Sequence, residues 1–284
     1  MKKRIISGIV MGIVVALVLV LGICVKNIII TTFVAMVAAV GVAEFVRNAA
    51  KIENMIFVII SALYTVVMVF MFSGICENLY KLNCTSYQYI DLTSFIAAVI
   101  TTIVYVIICA VLILVYQEQF DLGKIAVICG MPLLYAFAFS TIASVIIATN
   151  GIYYLLLILN FACVCDMGAY FVGVSIGKTK LCPEISPNKT VEGALGGIIS
   201  SVVVTLIITL CFGYFNKILP TLLLTIPLCA AGMAGDLFAS IIKRKSGIKD
   251  YGNLIPGHGG ILDRVDSVLF ISPLVYCLLV LGVL

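Results

Sequence analysis

Apolar runs recur along the whole chain, each separated from the next by only a few polar residues. Their length is about what a helix needs to cross ~30 Å of hydrocarbon, roughly 20 residues. They predict membrane spans at about 5–25, 27–46, 54–73, 94–116, 125–148, 152–176, 192–214, 218–242 and 266–284. Only Lys26 and Asn27 divide the first two. Pro132 and Pro227 fall inside runs, where neighbouring helices can re-satisfy the backbone groups they free. The predicted fold class is all-α, a polytopic transmembrane helical bundle of about nine spans. The opening Met-Lys-Lys-Arg before an apolar run has the outline of a signal peptide. That run is long enough to span and no small-residue cleavage site follows it, so the segment is expected to be retained.

Composition agrees with the pattern. Of 284 residues, 63% are hydrophobic and 11% charged, whereas a soluble domain is about half apolar and a quarter charged. Basic residues then set the orientation. With a cytoplasmic N-terminus, all but Lys26, Lys81 and Lys217 of the 17 lysines and arginines lie inside. The net charge of +4 needs no nucleic-acid partner, because anionic headgroups attract such a surface. Most of the eleven cysteines fall in spans or on the cytoplasmic side and read as small apolar residues. Cys76 and Cys84 share a predicted external loop, 74–93, in which they could pair.

Residues 1–160 are almost pure spans and read as scaffold, with Glu44 placed near the end of the second span, where it can reach water. Residues 161–284 read as the catalytic region. Ionisable side chains in a bilayer cost several kcal/mol by most scales and usually face an internal cavity. Asp166, Asp236 and Asp263 lie in or at the ends of spans. Asp166, Tyr170, Gly173 and Gly177 share one helix face by spacing. For the glycines this stripe reads equally as close helix packing, which leaves the acid unexplained. In the run Ser186-Pro-Asn-Lys-Thr-Val-Glu-Gly193, Ser186 or Thr190 can cap a helix, with Pro187 in its first turn. Lys189 beside that N-terminus would make an anion site suited to phosphate. An ordinary capped loop is the alternative.

The densest constellation runs from Gly235 to Asp266. Asp236, Ser240 and Lys243 stand at i, i+4 and i+7, offering acid, hydroxyl and amine on one helix face. Arg244, Lys249 and Asp250 follow, then a glycine-rich turn containing Pro256 and His258, the single histidine of the chain. Asp263, Arg264 and Asp266 open the last span, where the helix dipole favours carboxylates. Asp236 and Asp263 lie on sequential antiparallel elements that the connection could bring together. Two carboxylates in one site would repel without a cation between them, and hard oxygen ligands suit Mg²⁺. A basic loop with salt bridges is the plainer reading, but it leaves Asp236 unexplained.

Ser240-x-Ile-Lys-Arg, then after four residues Lys249-Asp250-x-Gly-x-x-Ile-Pro-x-His258-Gly-Gly-Ile-x-Asp263-Arg-Val-Asp266, resembles the signature of the phosphatidate cytidylyltransferases, or CDP-diacylglycerol synthases. The Asp166-x-Gly-Ala-Tyr and Ser-Pro-x-Lys-Thr-x-Glu-Gly segments resemble further features of that family. The resemblance is specific over about 162–272. It implies transfer of a cytidylyl group from CTP to phosphatidic acid, giving CDP-diacylglycerol and pyrophosphate in phospholipid synthesis, with Mg²⁺ required and a second cation compatible. By the same resemblance Asp236 and Asp263 are expected to hold metal, with Asp166 or Asp266 as further ligands or their supports. Lys189, Lys243, Arg244, Lys249 and Arg264 are candidates for substrate phosphates. Ser240 and Asp250 belong to the matched signature, and His258 either binds phosphate or braces the turn.

Such a reaction needs no strong base, because the attacking phosphate is already anionic. It needs alignment of two polyanions and neutralisation of the charge that develops. The expected setting is a bacterial plasma membrane, with the site facing the cytoplasm, where CTP meets the lipid. A homodimer is compatible with this reading and not demanded by it. The rivals are a CTP-dependent lipid-alcohol kinase, which would need a base near the hydroxyl, and a cation-coupled transporter, whose usual internal repeats are absent from the sequence.

Overall fold

The computed structural model describes residues 2–24, 27–84, 92–257 and 259–284. It is all-α apart from one small hairpin. The helices are α1 (Lys2–Cys24), α2 (Ile28–Glu44), α3 (Met55–Cys84), α4 (Leu92–Val115), α5 (Leu122–Ile147) and α6 (Gly151–Leu159). Then come α7 (Cys165–Ile176), strands β1 (Lys180–Cys182) and β2 (Ser186–Thr190), α8 (Val191–Cys211), α9 (Ile218–Lys245) and α10 (Leu262–Val280). One wide π-type turn, Phe45–Ala49, extends α2, and another, Asn160–Val164, joins α6 to α7.

Among the described residues, seven helices are long and apolar enough to cross a membrane: 27–49, 55–76, 95–115, 122–147, 151–176, 191–211 and 215–245. These coincide with seven of the nine predicted spans, and the chain is an all-α polytopic membrane protein. The other two predicted spans are also helical. Within α1 the described apolar piece is Gly12–Gly22. In α10 Asp263, Arg264 and Asp266 fall within the first five positions, which leaves too short an apolar remainder.

One further expectation is corrected here. The predicted external loop at 74–93 is helical through Cys84, because α3 continues that far. The suggested pairing of Cys76 with Cys84 involves a side chain outside the described residues.

The chain forms two compact units, Met1–Ile147 with Lys245–Val265, and Ala148–Arg244 with Asp266–Leu284. In the first, α2, α3 and α5 pack on one another and α4 packs on α3. Several of its buried hydroxyls find partners in place, which suits a hydrocarbon surrounding. Ser61 and Tyr105 share a hydrogen bond of 3.0 Å, and Tyr105 donates to the Ile128 carbonyl at 2.7 Å. Tyr64 stacks on Tyr105 with centroids 4.0 Å apart.

In the second unit α7 packs closely along α8. A Cβ on Gly193 would lie 2.7 Å from the Ala169 carbonyl oxygen, and one on Gly197 2.5 Å from that of Cys165. Gly173 and Gly177 face Thr190 at similarly short range. The glycine stripe is therefore a packing seam, which decides the alternative left open by spacing. A buried polar ladder runs beside it. Asn160 donates to the Ser201 carbonyl at 3.0 Å and to Thr205 Oγ1 at 2.9 Å, and Thr225 donates to Thr205 at 3.1 Å. Such interhelical bonds contribute about 0.6–2 kcal/mol each in membranes.

Candidate active site

The second unit gathers a set of the expected residues around a cavity of about 260 Å³, lined by Asp166, Tyr170, Asn188, Lys189, Met233 and Asp236 among others. Asp166 comes from the first turn of α7, Asp236 from α9 and Lys189 from β2. Lys189 Nζ is buried and forms an ion pair of 2.5 Å with Asp236 Oδ2. About a quarter of each side chain is exposed, so the pair lies at the cavity wall rather than in a dry core.

Local structure explains how Lys189 gets there. Residues 186–190 form a strand, with Cys182 opposite Ser186 and Lys180 opposite Thr190. This corrects the placement of Pro187 in a helical first turn: it lies in β2, and the helix begins later. Thr190 is the cap, its hydroxyl accepting from Gly193 N at 3.1 Å. Glu192 reaches back to accept from the backbone N–H groups of Lys178 and Thr179 at 3.1 Å. The hairpin is thus tied to the start of α8, and Lys189 projects from a fixed strand.

Further along α9, Ser240 is half-buried and Lys243 lies 3.8 Å from Asp266 Oδ2. Both members of this second ion pair are largely buried, at 12% and 14% exposure. Asp266 also accepts from the Ser267 N–H at 2.9 Å. Arg244 is exposed.

The first unit holds the remaining candidates in the loop between α9 and α10. Lys249, Asp250, Asn253, Pro256, Gly257 and Arg264 are among the residues lining an open cavity of about 630 Å³. Gly257 and Gly259 adopt φ of +80° and +83°, a conformation that side-chain-bearing residues rarely take. Ile255 N donates to the Gly259 carbonyl at 2.9 Å and closes the turn. Asp263 Oδ2 accepts from Tyr251 N at 2.8 Å and Gly260 N at 3.0 Å, so one carboxylate oxygen is committed to bracing the loop. His258 lies outside the described residues. Asp236 belongs to the second unit and Asp263 to the first.

Sequence reading named Glu44 without linking it to this loop and did not single out Asn48. Glu44, expected to reach water, is half-buried and accepts from Leu262 N at 3.2 Å. Asn48 donates to the Tyr251 carbonyl at 2.5 Å. Their i, i+4 spacing at a span end was the available signal.

The chain matches the profile of the family described as "Cytidylyltransferase family" over residues 2–281. It belongs to the cytidylyltransferase family. Within that family it is similar to the phosphatidate cytidylyltransferase of Bacillus subtilis, 52% identical over 125 residues, which is 43% of this chain and 46% of the relative. Proteins of the same name from Staphylococcus saprophyticus and Staphylococcus aureus are 45% and 46% identical over 132 and 133 residues. Those matches cover 46% of this chain and 51% of each relative. The cytidylyltransferase chain thus spans about half the length of the relatives it matches, and the resemblance read from its motifs is borne out at family level.

Proposed function

We propose that this protein is a CTP:phosphatidate cytidylyltransferase, converting phosphatidic acid and CTP to CDP-diacylglycerol and pyrophosphate. The observation that carries the reading is the Asp166, Lys189 and Asp236 cluster on one cavity of an otherwise apolar helical unit. The names of the related proteins supply the substrates. Charges in such a setting are retained for work on a charged ligand. The site is proposed to open on the cytoplasmic side of a bacterial plasma membrane, where a soluble nucleotide and a lipid phosphate can both arrive.

Among the described residues no group of three His, Cys, Asp or Glu side chains gathers. A metal would therefore rest on one or two carboxylates and complete its shell with water and substrate phosphate. That is the ordinary arrangement for Mg²⁺, and the paired acids of the cavity fit it. Asp236, with Asp166 on the same cavity, would hold one such ion, and Asp263 is the proposed carboxylate of the loop. The two amides on Asp263 Oδ2 orient it as supporting donors orient metal-binding groups. When bound, Mg²⁺ supplies charge neutralisation at the phosphoryl centre.

The rest falls to the chain itself. Lys189 pairs with Asp236 at the cavity wall and places its amine where a phosphate oxygen of the lipid or nucleotide can meet it. Lys249 and Arg264 line the loop cavity and suit the polyphosphate, with loop amides as further donors. Lys243 is held by Asp266 and Ser240 lies on the same face of α9, which keeps an amine and a hydroxyl beside Asp236. The attacking phosphate oxygen carries its own charge, so positioning and electrostatics provide the catalysis.

The test is product analysis. Purified protein in detergent, supplied with labelled CTP, phosphatidate and Mg²⁺, is expected to form CDP-diacylglycerol. A phosphorylated lipid alcohol, or no lipid product from folded protein, would overturn the reading.

A further inference from the structure

The loop from Lys249 to Leu262 has little core of its own. It carries Gly252, Gly257, Gly259 and Gly260, and glycine-rich backbone loses much entropy on ordering. Something outside the loop has to hold it, and one helix end does so at four points. Glu44 Oε2 accepts the Leu262 N–H at 3.2 Å. The Glu44 carboxylate occupies the space where a Cβ on Gly252 or Gly260 would lie. Asn48 Nδ2 donates to the Tyr251 carbonyl at 2.5 Å. Phe45 packs on the ring of Tyr251 with centroids 5.9 Å apart, both rings being almost fully buried.

We infer that Glu44 and Asn48 are positioning residues for the nucleotide-handling loop, setting the geometry of Lys249, Arg264 and Asp263 from the end of α2. This rests on the reading of the loop cavity as the place of the CTP phosphates. The π-type turn at Phe45–Ala49 directly follows Glu44, and such widened turns often accompany functional sites. Tyr251 links the two ends of the device. Its carbonyl is held by Asn48 and its N–H by Asp263 Oδ2, so a shift of the α2 end is passed to the Asp263 carboxylate. Gly252 and Gly260 are the complementary half, because only their lack of a side chain lets the loop backbone lie against Glu44.

Two measurements on the full-length protein in detergent test this. Hydrogen exchange over 250–262 reads loop order without reference to activity, and CTP titration reads KM against kcat. Glu44→Ala is expected to speed exchange of the loop and raise KM for CTP about tenfold, the worth of a hydrogen bond to a charged group. Exchange at 186–193 should stay at its wild-type rate. Asn48→Ala should act in the same direction, less strongly. Glu44→Gln keeps the shape and an acceptor for Leu262 N–H, and should restore most of the loss.

Unchanged loop exchange in both alanine variants would overturn the inference. So would faster exchange with an unaltered KM, or a stability loss shared equally by all segments. If wild type forms no CDP-lipid, the functional reading fails instead, and faster loop exchange in Glu44→Ala would confine Glu44 to a structural role.

Discussion

The two clusters of candidate residues are built in opposite ways. The cavity of Asp166, Lys189 and Asp236 is made of side chains projecting from regular elements, with the α7–α8 seam closed by backbone-to-backbone contact at Gly193 and Gly197. The loop of Lys249, Asp250 and Arg264 is made largely of backbone, bent at left-handed glycines and held by Glu44, Asn48 and Asp263. In the first, precision comes from rigid helices. In the second it comes from hydrogen bonds that a few side chains donate or accept. Damage to the helical cluster should therefore appear as lost stability or lost chemistry, and damage to the loop as weakened nucleotide binding.

The largest effect should come from the helical cluster. Asp236→Ala is expected to lower CDP-diacylglycerol formation by about 10³-fold, the scale on which fixed electrostatic groups act. It also leaves Lys189 without its carboxylate, which costs up to about 3 kcal/mol at a site a quarter exposed. Adding Lys189→Met should recover thermal stability and not activity. Recovery of both would reduce the pair to a structural bridge and erase the contrast. Chelation of Mg²⁺ should abolish turnover in the unaltered protein, and restored Mg²⁺ should return it.

Steric probes sharpen the comparison at intermediate size. Gly197→Ala drives a methyl against the Cys165 carbonyl and should destabilise by about 1–3 kcal/mol, seen as a lower Tm in detergent. Gly260→Ala meets the Glu44 carboxylate instead. It should raise KM for CTP several-fold with a smaller change in Tm. If the two variants give the same pattern, the distinction between rigid seam and braced loop is wrong. The smallest effect is expected for Thr190→Ala, which removes a helix cap worth about 1 kcal/mol and should lower Tm with little change in kcat.

Much of the fold was legible because its signal is local. A run of apolar residues long enough to span is visible without knowing any neighbour, and seven of the nine predicted spans coincide with described helices long and apolar enough to cross a membrane. Thr190 as a cap and the acids at the start of α10 were equally local features. Pro187 was misplaced because a hairpin depends on pairing with β1, and no single segment reveals its partner. The end of α3 was missed because the polar stretch after Cys76 reads as a loop by composition. Glu44 was misassigned for a different reason. An acid near a span end ordinarily turns to water, and only the return of the loop some two hundred residues later covers it.

Sequence alone determined the membrane class, the approximate spans, the family and the roster of charged residues, since hydrophobic length and a long fixed-spacing motif are one-dimensional properties. Tertiary structure decided which charges meet. It paired Lys189 with Asp236 and Lys243 with Asp266, turned the glycine stripe into a packing seam, and set Glu44 and Asn48 against the loop. Those outcomes depend on contacts between segments far apart in the chain, where burial makes an unpaired charge or amide costly and so selects one arrangement among many that the residues themselves would allow.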